Sequence, residues 1–236
     1  MPKVERLDLS SNRLIDISSL ANSMPNVEEL VLDNNQITSV CGLKDSMPNV
    51  RVLSLRKNNI DDISGLRESM PKVERLDLSS NRLIDISALA GSMPEVSYLN
   101  LENGYAYPGK GNAIVDLEPL RGDSMPKMEN LNLCGNDVTD INALVGSLPS
   151  SVQTLNLMCN MLSQEQCALA IINFEAAMKA GYLPNGNSFD DKVFFGWQKK
   201  TNAEAKFLSD GGSASGSGNG KGMEGDVESG FISASG

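Results

Sequence analysis

Along the first 162 residues the apolar side chains fall on a fixed grid. In the opening unit they are Val4, Leu7, Leu9, Leu14, Ile17 and Leu20, with Asp8 between the two leucines and Asn12 three positions after the second. Alternation around Leu7 and Leu9 predicts a short strand whose two faces see different surroundings. The asparagine marks the turn out of that strand, where a side-chain amide can satisfy backbone groups that the turn would otherwise strand. The grid recurs. Met-Pro opens a unit at Met1, Met24, Met47, Met70, Met93 and Met125, and Leu-Pro opens the last at Leu148. Every step is 23 residues except the 32 between Met93 and Met125. A fixed period of this length is the signature of a solenoid, in which a unit buries its apolar side chains only against its neighbours.

Written as Leu7-x-Leu9-x-x-Asn12-x-Leu14, the unit resembles the leucine-rich repeat, and is most similar to the short 22-residue class of internalins and phosphatase-regulatory subunits. The resemblance covers seven units, residues 1–162, and implies an α/β solenoid. Its expected form is a curved parallel sheet on the concave face, with short helical or irregular convex segments. Asn12, Asn35, Asn58, Asn81, Asn136 and Asn160 hold one column of the array. Asp16, Asp62, Asp85 and Asp140 precede the isoleucine of each convex segment, where a carboxylate can cap a short helical turn. They lack the glycine-containing loop of a calcium site. Each proline ends a convex segment and leads the chain back toward the next strand.

Unit five breaks the grid. Counting from Leu99 and Leu101 places Gly104 where asparagine belongs, and an insertion at about 104–113, carrying Tyr105 and Tyr107, reads as an exposed loop. After unit seven, Ser163 and Gln166 have capping-box spacing, and Cys167, Ile171, Phe174 and Met178 share one face of a helix expected over 164–180. Residues 163–208, with Val193, Phe194, Phe195 and Trp197, are expected to cap the open end of the core. Residues 209–236 are 16 Gly or Ser out of 28 and read as a disordered, acidic tail.

Composition narrows the chemistry. A net charge of −10 disfavours nucleic acid and anionic membranes, which select basic clusters. No apolar run reaches the roughly 18–20 residues that span a bilayer, and no signal-peptide core is present, so a cytoplasmic location is expected. Cys41, Cys134, Cys159 and Cys167 lack CxxC spacing, and histidine is absent. That removes the commonest general base and zinc ligand, so no enzyme, metal or cofactor is expected. The run from Gly216 to Gly222 lacks phosphate-loop spacing, with Gly222 where Ser or Thr belongs.

Function is therefore expected on the strand surface, as a non-catalytic module that binds a protein or peptide. Units one to four carry mixed charge there: Arg6, Asp8, Glu29, Asp33, Arg56, Lys57, Arg75 and Asp77. Units five to seven place Tyr98, Asn130 and Thr154 in one column, Asn100, Asn132 and Asn156 in the next, and Glu102, Cys134 and Met158 beyond. Tyrosine is over-represented where binding energy concentrates. The partner-binding candidates are Tyr98, Asn100, Glu102, Tyr105, Tyr107, Asn130, Asn132, Thr154, Asn156 and Met158, the amides offering paired donors and acceptors. The alternative is the recognition part of a larger receptor, adhesin, secreted effector or enzyme, truncated at its N-terminus. No amphipathic segment precedes unit one, so self-association through that edge is also expected. Units one and four agree at 21 of 23 positions, outward residues included, as a recent duplication or a selected surface would make them.

Overall fold

The computed structural model describes residues 4–104, 111–179 and 193–194. Each unit contributes one three-residue strand: β1 Arg6–Asp8, β2 Glu29–Val31, β3 Val52–Ser54, β4 Arg75–Asp77, β5 Tyr98–Asn100, β6 Asn130–Asn132 and β7 Thr154–Asn156. The strands pair in parallel, in chain order, in an open sheet. An eighth strand, β8 (Val193–Phe194), pairs with β7. That extends the expected seven-stranded sheet by one.

The register stacks like on like: Leu30, Leu53, Leu76, Leu99 and Leu131 lie opposite one another and point into the core. Leu7, at the free edge of β1, is only half-buried because no described strand covers it. The Met-Pro junction also belongs to the core, since Met24, Met47, Met70, Met93 and Met125 are all buried. An unbranched thioether fills the irregular space at the bend between convex segment and strand.

On the side opposite the sheet the chain makes 3-10 turns, among them Ser18–Leu20, Cys41–Leu43, Ser64–Leu66, Ser87–Leu89 and Glu118–Leu120. The expected aspartate caps are present and act from two residues ahead. Asp16, Asp62 and Asp85 accept the backbone N–H of Ser18, Ser64 and Ser87 at 2.7–2.8 Å. Asp116 and Asp140 do the same for Glu118 and Asn142.

The asparagine column forms a ladder between units. Asn58 donates to the carbonyls of Leu32 and Leu55, one in each of two units, and accepts the N–H of Ile37 at 3.1 Å. Asn35, Asn81, Asn136 and Asn160 repeat this pattern. Each buried amide thus satisfies backbone groups that neither unit can satisfy alone.

In unit five the ladder corrects the sequence reading. The column is held by Asn112, fully buried, which donates to Leu78 and Leu101 and accepts from Leu83 at 2.9 Å. The insertion therefore ends before Asn112, and the ladder runs unbroken across it.

Past unit seven, helix α1 (Gln164–Lys179) follows closely the expected span. Its capping box is half made. Ser163 Oγ accepts the N–H of Gln166 at 3.2 Å, but Gln166 Oε1 takes the N–H of Ile141 in unit six at 2.9 Å. The glutamine that the spacing assigned to the helix's own start instead ties the helix to the repeats. Cys167 and Leu169 pack on the core and Ala170 is buried. The side chains of Ile171, Phe174 and Met178, most of the expected cap to 208 and the tail from 209 lie outside the described residues.

Candidate interaction face

The face of the sheet turned away from the core carries three columns of side chains, set by the strand register. Arg6, Glu29, Val52, Arg75, Tyr98, Asn130 and Thr154 form the first. Asp8, Val31, Ser54, Asp77, Asn100, Asn132 and Asn156 form the second. Beyond the strand ends follow Ser10, Asp33, Arg56, Ser79, Glu102, Cys134 and Met158. Six of the ten candidate residues thus share adjacent strands at β5–β7, and Glu102 and Met158 follow just beyond the strand ends. Tyr105 and Tyr107 lie outside the described residues.

The second column has a structural task that the sequence reading missed. Asp8, Asp77, Asn100, Asn132 and Asn156 each accept, through Oδ1, the backbone N–H two residues on, at 2.8–3.2 Å. These are Asx turns that close the strand ends, a role for which a short side-chain oxygen is required. Unit two has Val31 in this column. Asp33 supplies the missing acceptor for unit three, taking Arg56 N–H at 3.0 Å and Ser54 Oγ at 2.6 Å. The expectation of free paired donors and acceptors is corrected accordingly. One acceptor position of each amide is committed to its own turn, and one N–H of Asn100 and of Asn132 is committed to a neighbouring carboxylate. Asn100 donates to Asp77 and Asn132 to Glu102, both at 3.2 Å.

The first column is layered by charge. Arg6 bridges to Glu29 at 3.2 Å, and the Arg75 guanidinium lies 4.3 Å above the centre of the Tyr98 ring. A guanidinium over an aromatic face is attracted by the ring quadrupole. Partial burial, with the Asp77 carboxylate next in weight, pushes the Tyr98 hydroxyl above its ordinary range, against the pull of Arg75. Tyr98 is therefore a neutral phenol at physiological pH. Thr154 Oγ1 donates to Asn130 at 2.7 Å, which fixes the far end of the column.

A shallow depression of about 450 Å³ lies where the chain enters the strands, lined in part by Glu28, Asn49, Arg51, Lys72 and Glu74. Its polar side chains are partly paired: Arg51 bridges to Glu74, and Lys72 donates to Asn49, both at 2.7 Å. Among the described residues no cluster of three or more His, Cys, Asp or Glu side chains is placed to hold a metal ion. Nor is any helix among them long and apolar enough to cross a membrane.

The family model for leucine-rich repeats matches twice, at residues 2–45 and 48–91. No curated protein matches the chain. Among solved structures, internalin C2 of Listeria monocytogenes is similar at 26% identity and a TM-score of 0.56, covering 66% of this chain and 62% of that one. Internalin F of the same organism is 20% identical over 80% of this chain and 68% of its own, with a TM-score of 0.31. The chain thus spans less than two thirds of the internalin C2 structure. The matched repeats, the leucine register and the asparagine ladder that carries both to Asn160 give the described units the fold of leucine-rich repeats.

Proposed function

We propose that the open face of the sheet at β5–β7 binds a protein or peptide partner without catalysis. The observation that supports this most directly is the placement of Tyr98, half-covered by Arg75, beside a column of amide donors on three consecutive strands. A half-buried phenol with a guanidinium over its ring offers apolar area with polar rims, the composition of interface hot spots. Amide N–H groups at strand spacing suit the carbonyls of an extended peptide. The charged columns of units one to four steer encounter.

A second reading makes this array the recognition part of a longer receptor, adhesin, secreted effector or enzyme. It is favoured by the chain's spanning 62% of the internalin C2 structure. Parallel affinity capture with the wild-type chain and the Tyr98→Ala variant, followed by mass spectrometry, tests the binding face. A partner retained by the first and lost by the second supports it. Equal retention by both places the interface elsewhere.

A further inference from the structure

Cys134 and Cys159 are 25 residues apart in sequence and meet at the rim of the open face. The register brings this about: Gly135 N–H donates to the Met158 carbonyl at 2.8 Å, so Cys134 lies beside Met158 and diagonal to Cys159. Both are free thiols on neighbouring units, and the nearness of Cys159 is among the causes that push the Cys134 thiol up. Their surroundings differ. Cys159 is exposed, on a residue with φ of 57°, whereas Cys134 is half-buried and faces Glu102.

We propose that this pair is a thiol–disulfide exchange site for low-molecular-weight disulfides such as oxidised glutathione, with Cys159 the entry thiol and Cys134 the resolving thiol. Cys159 loses its proton to water, and its thiolate attacks one sulfur of the small disulfide. The small disulfide's S–S bond breaks, one small thiolate leaves and takes up a proton, and a mixed disulfide remains on Cys159. Cys134 then loses its proton and attacks Cys159 Sγ, expelling the second small thiol. Two protein thiols are oxidised to one disulfide, and one small disulfide is reduced to two thiols.

Exchange proceeds through the thiolate, so the order of events follows from access and acidity. Cys134 is pushed up to about 11, chiefly by burial and then by Cys159 and Glu102, which makes it a poor first nucleophile. Placed diagonal to Cys159 on the neighbouring unit, it still reacts once a mixed disulfide forms there, because the attack is then intramolecular. Cys41 contrasts with this pair. Its sulfur contacts the oxygens of Ser39, Asp62 and Ser64, so a mixed disulfide formed there has no neighbouring thiol to resolve it. The bond between Cys134 and Cys159 ties unit six to unit seven beside Met158, and the proposal holds whether or not that face binds a partner.

The test incubates the full chain with oxidised glutathione near pH 8, about the ordinary thiol range. Free thiols are then blocked with iodoacetamide, and the products are mapped by mass spectrometry. Asp137 and Asp140 lie between the two cysteines, so cleavage before aspartate separates the peptides unless they are linked. The wild type should give a Cys134–Cys159 cross-link with loss of two hydrogens. Cys134→Ser should keep glutathione on Cys159, and Cys159→Ser should leave Cys134 as a free thiol. Cys41→Ser should form the same cross-link as wild type, with circular dichroism confirming that each variant folds. A persistent adduct on wild-type Cys159 without cross-link, adducts of equal yield in the two single variants, or no reaction at either position would each overturn the proposal.

Discussion

Asn112 Oδ1 accepts the backbone N–H of Leu83 at 2.9 Å, 29 residues back along the chain. In the other units the equivalent separation is 21 or 22 residues. The excess is the insertion of unit five, which the ladder passes over. Asn112→Ala should therefore cost about 1–3 kcal/mol in denaturant unfolding, because it strands the buried N–H of Leu83, while the Leu78 and Leu101 carbonyls keep Asn81 and Asn136 as donors. Asn12→Ala should cost less, since Asn12 is exposed and, among the described residues, donates to the Leu9 and Ser10 carbonyls of its own unit without bridging two units. Deleting 105–110 while keeping Asn112 should leave the fold intact. A fold lost on that deletion would show that the loop itself supports the ladder.

Much of this architecture was legible because it depends on residue type at fixed spacing. Leu7, Leu30 and Leu53 share a column since nothing smaller fills it, and Asn35 recurs since few other side chains donate and accept at once. Asn112 was missed by counting forward from Leu101. Counting back two residues from Ile114, as Asn35 stands before Ile37, finds it. Residue type alone makes Asn100, Asn132 and Asn156 a binding surface, but part of their task is local. The signal was present in Asp8 and Asp77 in the same column, since Asp and Asn there share only a short oxygen acceptor. The pairing of β8 with β7 and the turning of Gln166 toward Ile141 depend on how the chain returns after unit seven, which no spacing within the repeats encodes.

Of the two differences between units one and four, the backbone accounts for one. It pairs Asn22 with Gly91, and both residues lie in the left-handed region, at φ of 56° and 65°. Asn and Gly are the residues that enter this region at least cost. Gly91→Asn should change stability by under about 0.5 kcal/mol, whereas Gly91→Val should cost about 1–2 kcal/mol through backbone strain alone. An added Cβ at Gly91 meets nothing within 4 Å, so crowding does not confuse the result. Equal melting temperatures for the two variants would refute the strain argument.

Acid should loosen the turns opposite the sheet. Asp16, Asp62 and Asp85 each sit below the ordinary aspartate range, chiefly because the carboxylate accepts the N–H of Ser18, Ser64 or Ser87. A carboxyl depressed in the folded state adds stability that is present above its unfolded value and lost as pH falls through its folded value. Unfolding midpoints should thus hold down to the ordinary aspartate range and drop below it. The exposure of these groups keeps each contribution small. The triple variant Asp16→Asn, Asp62→Asn, Asp85→Asn should flatten that acid limb. An unchanged limb would assign the loss to other carboxylates.

Stability and binding can be separated on the open face, because Oδ1 of Asn132 serves the turn while Nδ2 points to Glu102. Asn132→Asp keeps the acceptor for Cys134 N–H but replaces the donor with a carboxylate facing Glu102. It should retain most of the fold's stability and weaken a partner that accepts from this column. Asn132→Ala should lose the turn bond as well, costing about 0.5–1.5 kcal/mol in unfolding. Tyr98→Ala should weaken binding by about 2 kcal/mol or more, the hot-spot threshold. Arg6→Ala removes exposed contacts to Asp8 and Glu29 and should cost under about 1 kcal/mol of binding at physiological salt. Titration calorimetry with the captured partner measures binding, and denaturant unfolding measures the stability of the two Asn132 variants. If Arg6→Ala abolishes binding while Tyr98→Ala and Asn132→Asp leave it intact, the partner sits on units one to four. The matched outward residues Arg6 and Arg75, Asp8 and Asp77 would then be its two equivalent footholds.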